Sequence, residues 1–345
     1  MARPRICIVP EFPQSLMTGG TLVQAVETRR ALAQHITEMD FELFNWSDKI
    51  PPADCYHFIG LPKYLAGVPR LIAQAGRPYV LTLLLGSMNR RARCVSALRR
   101  RLAFLLNWNR EHQRAIRGAA AHITITQADA DNAALIYGLR REQIHIVPVA
   151  VTEVFLTAQP FLWQSTYGSE PFVLSVGALQ PRKNQLLLAQ VCNALKLPMV
   201  MVGGVLAGHD DYASLVEREM QINGKFGGRW LQCDDPMLAS AYAACRLFVL
   251  FSSSETQPAS VLQAMAVKKP VLLADAPYAR EHPFDILPKA VLTSRDSITQ
   301  ALQKAWSLGS GTELPSEFTW AAVSKKLNSI YCDALRRKLA RKSLG

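Results

Sequence analysis

Two short segments carry the residues best suited to chemistry. In the first, Gly177-Ala-Leu-Gln-Pro-Arg182-Lys183-Asn184 follows an apolar run and leads into a helical pattern. A glycine at a strand end lets the backbone turn closely. Two adjacent cations before a helix can meet a diphosphate, to which the helix N-terminus adds amide donors. The same pair can equally be a solvated Arg-Lys tip. In the second segment, Ser252-Ser-Ser-Glu255-Thr256-Gln257-Pro258-Ala259-Ser260 follows a very apolar run and opens a helix rich in Ala and Met. Amides from Thr256 to Ser260 suit an anionic or hydroxylated ligand, with Glu255 accepting from sugar hydroxyls. Gln263 lies eight residues beyond Glu255, about two helical turns and so near the same face. The alternative is a capped helix start at Ser254 or Glu255 with ordinary packing beyond it.

Other chemistries lack their residues. The seven histidines form no HExxH or ligand-spaced group, and the seven cysteines form no CxxC pair, so neither a metal site nor a disulfide framework is expected. No GxSxG elbow or P-loop is present. No RNP, helix-turn-helix, KH or zinc pattern points to nucleic acid.

Stepping outward to the elements, residues 5–10 read as a strand, followed by Gly19-Gly20 and a helix over 21–34. Strand-like runs recur at 55–59, 79–85, 122–126 and 145–149, with helical patterns between them. Such alternation predicts a parallel sheet covered on both faces. The pattern breaks over 152–171, which contains Pro160, Gly168 and Pro171 and reads as a linker. A second series follows, with strands at 172–176, 199–202, 229–232, 247–251 and 271–274, and a terminal helix over 320–339. The expected organisation is an N-terminal domain at 1–155, a linker at 156–171, a second domain at 172–319 and the closing helix with its basic tail at 320–345. Two Rossmann-like domains of this kind place ligands beyond the carboxyl ends of their strands, in an interdomain cleft.

Together the segments resemble the retaining nucleotide-sugar glycosyltransferases of family 4, which have the GT-B fold, and most closely their bacterial polysaccharide and lipopolysaccharide subgroup. The signatures are 176–184 (VGALQPRKN) and 255–266 (ETQPASVLQAMA). Gly19-Gly20 is similar to the family's glycine loop near the donor phosphates, 270–275 (PVLLAD) to the strand after the donor helix, and 318–331 to the helix that crosses back to the first domain. The resemblance implies that Lys183 and Arg182 contact the diphosphate and assist its departure without a metal or other cofactor. It also implies that Glu255 holds sugar hydroxyls, that the amides of Thr256, Gln257, Ala259 and Ser260 around Pro258 support sugar or phosphate, and that Gly177 lines the same site. Three positions depart from the pattern. Gln263 stands where a ribose-binding glutamate is usual, Ala178 where many members carry an arginine, and Leu84-Leu85-Gly86-Ser87 where a histidine often follows the third strand. A non-catalytic homologue acting as a scaffold is the alternative that these departures leave open.

The net charge of +12 is concentrated. Residues 87–117 hold nine arginines, among them Arg90, Arg91, Arg93, Arg99, Arg100 and Arg101, against one acid, Glu111. Apolar residues at 95, 98, 102, 105 and 106 fall near a helical repeat. This reads either as a basic amphipathic helix meeting anionic lipid or a lipid-linked acceptor, or as a core helix with a solvated arginine face. No segment reads as a signal peptide or a membrane span. The expected setting is cytoplasmic, peripheral on the inner membrane face. The expected partners are a nucleotide-sugar donor and a glycan or lipid-linked acceptor.

Overall fold

Strands buried along their whole length, such as Cys55–Ile59 and Leu247–Leu250, require cover on both faces. The computed structural model, which describes residues 3–11, 20–45, 52–61, 65–86, 93–96, 110–226, 231–232 and 234–342, supplies it in two units. One comprises Met1–Val149 with Trp320–Gly345, the other Ala150–Thr319.

The first unit runs β1 (Arg5–Pro10), α1 (Gly20–His35), β2 (Asp40–Leu43), β3 (Cys55–Ile59), α2 (Gly67–Gln74), β4 (Tyr79–Leu83), α3 (Arg110–Arg117), β5 (Ala121–Thr124), α4 (Gln127–Tyr137) and β6 (Ile144–Ile146). Its six parallel strands lie in the order β2-β1-β3-β4-β5-β6. Phe58, Tyr79, Leu81 and Ile116 lie at the centre of one of its core faces.

The second unit runs α5 (Phe161–Tyr167), β7 (Val173–Val176), α6 (Gln185–Ala194), β8 (Met199–Val202), α7 (Asp210–Asn223), β9 (Gly224–Phe226), α8 (Pro236–Ala244), β10 (Leu247–Leu250), α9 (Ala259–Ala266), β11 (Val271–Ala274), β12 (Lys289–Ala290) and α10 (Arg295–Trp306). Its parallel strands lie in the order β12-β11-β10-β7-β8-β9. The chain builds outward from β7 to β9, then returns to lay β10 on the other side of β7, with Leu247 opposite Val173. Order therefore reverses between β7 and β10, the place where ligands sit in open parallel sheets.

The chain closes with α11 (Trp320–Lys342), which packs on α1 in the first unit. A buried polar chain fixes it there. His57 Nδ1 lies 2.7 Å from Tyr331 Oη, and His57 Nε2 lies 2.7 Å from Thr82 Oγ1. Burial pushes the His57 pKa down to about 3, so the imidazole is neutral and offers one donor and one acceptor to these two hydroxyls.

Several elements differ from the sequence reading. The stretch 156–171, read as a linker, contains α5, which packs on α8 with Trp163 buried between them. Its amide at Trp163 donates to Ser240 Oγ, which in turn donates to Gln159 O. Proline and glycine flank this helix rather than interrupt it, so they mark its ends. The strand expected at 229–232 is displaced to Gly224–Phe226, directly after α7. Residues 231–232 are not strand, and 227–230 fall outside the described residues. The edge strands β2 and β12 escape a reading based on apolar runs because one is half charged and the other has two residues.

The basic segment is only partly described. Arg90, Arg91, Arg99, Arg100 and Arg101 lie outside the described residues, as does Gly19, while Arg93 is exposed within a helical stretch at 93–96. Val95, assigned to an apolar face, is 46% exposed there. In α3 the basic side chains of Arg110, Arg114 and Arg117 are exposed and Ala115 and Ile116 are buried.

Tyr331→Phe leaves a buried imidazole nitrogen without its partner, which costs about 1–3 kcal/mol. Urea unfolding of the variant should show a lower midpoint at an unchanged slope.

Candidate functional site

The β7 carboxyl end turns at Gly177, whose φ of +143° favours glycine. A Cβ there would land on the Lys183 ammonium. Gly203, after β8, has φ +149°, and a Cβ on it would collide with the Gly177 carbonyl. Two glycines thus let two loops approach backbone to backbone. The approach is registered by Gly177 N donating to Val202 O at 2.9 Å and Leu179 N donating to Gly204 O at 2.8 Å.

Beyond this turn, Pro181–Lys183 form one 3-10 turn, and Asn184, with φ +52°, redirects the chain into α6. Its side-chain amide donates to Phe251 O at 2.9 Å, tying the loop to the end of β10. Arg182 and Lys183 are thereby placed facing the loop that carries Glu255. Arg182 Nη1 lies 3.0 Å and Lys183 Nζ 3.7 Å from the same carboxylate oxygen, Glu255 Oε1. The side chains of Lys183 and Glu255 are 14% and 15% exposed and so largely withdrawn from water, while that of Arg182, at 37%, still meets solvent. Burial lowers the Lys183 pKa below the ordinary 10.5; Glu255 opposes that shift and Arg182 adds to it. Tyr278, buried behind the site, has its phenol pKa raised first by burial and then by the Glu255 charge.

After Glu255 the chain does not enter a helix at once. Helix α9 starts at Ala259, with Pro258 at its N-cap position and no side-chain cap. A cap at Ser254 or Glu255 is therefore not formed. The turn-counting that set Gln263 on one face with Glu255 also does not apply, because half of that spacing is loop. Gln263 is 8% exposed. Gln257 and Pro258 are buried, and Thr256 and Ser260 are half-buried.

The structure thus brings Gly177, Arg182, Lys183 and Glu255 together in the second unit. Gly20 opens α1 and Arg93 lies in the helical stretch at 93–96, both in the first unit. Asn184 and Ser252, which carry no role in the sequence pattern, both fasten this site. Their partners lie 67 and 70 residues away, a separation that no local pattern reports.

Residues 170–306 match the family described as Glycosyl transferases group 1. HepE from Anabaena, solved in complex with UDP and glucose, is 15% identical with a TM-score of 0.63, covering 99% of both chains. Sucrose-phosphate synthase from Thermosynechococcus elongatus gives 15%, 0.63 and 99% of both chains. WaaG, a glycosyltransferase involved in lipopolysaccharide biosynthesis, gives 15% and 0.56, covering 97% of this chain and 98% of its own. The chain has the two-domain, Rossmann-like GT-B fold. No curated protein matches the chain by sequence.

Gly177→Ala forces a disfavoured backbone angle and displaces the Lys183 ammonium, a strain of about 1–3 kcal/mol. Chemical denaturation should report that loss.

Proposed function

We propose that this chain transfers a sugar from a nucleotide diphosphate sugar to a glycan or lipid-linked acceptor, with retention of configuration and without a metal. The observation that carries this reading is the convergence of Arg182, Lys183 and Glu255 at the strand ends where the second sheet reverses its order. A diphosphate leaving group develops negative charge as the anomeric carbon–oxygen bond breaks. A desolvated Lys183 stabilises that charge far more than an exposed lysine would, and Arg182, partly open to solvent, adds to it. Lys183 and Arg182 are assigned to the diphosphate. Glu255 is assigned to hydroxyls of the donor sugar, where a carboxylate accepts short, strong hydrogen bonds.

In a front-face course, which retains configuration, the acceptor oxygen bonds to the anomeric carbon on the side the diphosphate leaves. The acceptor's proton passes to the departing phosphate oxygen, so no separate base is needed. Gln263, buried in α9, is assigned to the nucleotide ribose. It can donate and accept but brings no charge. The HepE neighbour was solved with UDP-glucose as well as with UDP, which supports a UDP-sugar donor. WaaG's part in lipopolysaccharide biosynthesis supports a bacterial surface-glycan acceptor.

The first unit is assigned to the acceptor. The exposed Arg93, Arg110, Arg114 and Arg117 support contact with an anionic membrane surface on the cytoplasmic side, a peripheral association. No helix among the described residues is long and apolar enough to cross a membrane.

Lys183→Ala and Glu255→Ala should each lower transfer or donor hydrolysis by about 100–1000-fold, read from release of nucleoside diphosphate. Binding without turnover in the wild type would overturn the enzyme reading in favour of a scaffold. Because the Lys183 pKa lies below 10.5, the ammonium is present at low pH and is lost earlier than an exposed lysine's as pH rises. Activity should therefore fall on an alkaline limb that Lys183→Arg shifts upward. Flotation with phosphatidylglycerol vesicles should retain the chain at low salt and release it at high salt; absence of binding would remove the membrane assignment.

A further inference from the structure

Arg182 is held more tightly than an ion pair with Glu255 alone would hold it. Its Nη1 donates to Ser252 Oγ at 2.9 Å and to the Ser254 carbonyl, besides facing Glu255. Its Nε donates to Gln180 Oε1 at 3.3 Å. Its own carbonyl accepts from Ser253 N at 2.9 Å and from Ser253 Oγ at 3.2 Å. Three consecutive serines therefore grip one arginine, at its backbone and at one nitrogen of its guanidinium. No acceptor for Nη2 is present among the described residues, so the grip leaves that nitrogen's two N–H groups unspent.

Ser252 is the pivotal member. It is fully buried, so no water competes for its hydroxyl. That hydroxyl accepts from Arg182 while donating to Ser254 O at 3.0 Å, and its orientation is therefore determined from both sides. Without it, Nη1 would keep only the Ser254 carbonyl and Glu255, and the guanidinium would shift toward the carboxylate. The carboxylate would then be drawn away from a sugar and the cation away from a phosphate. Ser252 thus partitions Arg182 between its internal counter-charge and an anionic ligand.

We propose that Ser252 is a positioning residue for the transfer reaction: its hydroxyl fixes Arg182 so that the guanidinium presents its Nη2 edge to the leaving diphosphate. The inference rests on the reading of the second unit as a donor site. A cation held rigidly in place favours the transition state, where charge is largest, over the ground state. Ser252→Ala should accordingly lower kcat by about tenfold, the worth of one hydrogen bond to a charged group, with little change in the donor KM and an unchanged melting temperature.

The decisive measurement is a double-mutant cycle with Arg182→Ala, read in kcat for donor turnover. The tenfold loss should disappear when Arg182 is already absent, because Ser252 then has nothing to position. A merely structural serine would cost the same in both backgrounds, and that additive result would overturn the proposal. Should Ser252→Ala melt early, Ser252→Cys, nearly isosteric but a poor acceptor, serves in the same cycle and must give the same non-additivity. Titration calorimetry with UDP, GDP and ADP separates the two levels of argument. A wild-type chain that binds none of them overturns the donor reading and this inference together. A wild-type chain that binds and turns over, with Ser252→Ala matching it in kcat, overturns this inference alone.

Discussion

Taking Lys183 and Glu255 largely out of water at the ends of β7 and β10, beside a partly exposed Arg182, is costly, and the neighbouring structure is organised around meeting that cost. One carboxylate oxygen faces both Arg182 and Lys183. The guanidinium adds hydrogen bonds to Ser252, Ser254 and Gln180. A single unsatisfied charge in this space would be strongly destabilising; a triad with shared partners is sustainable. Gly177 leaves room for the ammonium, Gly203 lets the next loop close over the turn, and Asn184 anchors the far side. Each of these features makes sense only because the charges are there.

The topology explains why the charges meet. Arg182 and Glu255 are far apart in the chain, but β7 and β10 are parallel neighbours, and both of their following loops leave from the same edge of the sheet. A helix-covered parallel sheet has its loops segregated by end, so residues just after two adjacent strands share a small volume. The reversal of strand order opens a crevice between their helices. The fold thus provides a place and the loops provide the chemistry, which is why neighbours of the same architecture can differ in what they act on.

Much of this was legible in the sequence. The strands at 199–202 and 271–274 were read with the bounds the structure has, because fully buried parallel strands are unbroken apolar runs. The loops carrying Arg182, Lys183 and Glu255 stood out as charges at the ends of such runs. What could not be read was tertiary. A run of serines signals nothing about an arginine some 70 residues earlier. Pro258 delays the start of α9 in a way that a count of helical turns ignores. Helix α5 hid between residues that usually break helices, since its stability comes from Trp163 packing on α8 rather than from a long periodic pattern.

The His57–Tyr331 contact has a bearing on how the molecule is made. Its partners are 274 residues apart, and the entire second unit is threaded between them. On the ribosome the strands of the first unit emerge early, but the helix that covers them is synthesised only after the second unit. His57 and the surface meant for α11 must therefore wait in an unfinished state while residues 150–319 are translated and fold. The second unit, continuous in sequence, can complete itself during that interval. The first is discontinuous and becomes native only after the chain has returned; once the second unit has folded, the bridge between Val151 and Thr319 holds its two ends together, so the return spans a short distance rather than a long open coil.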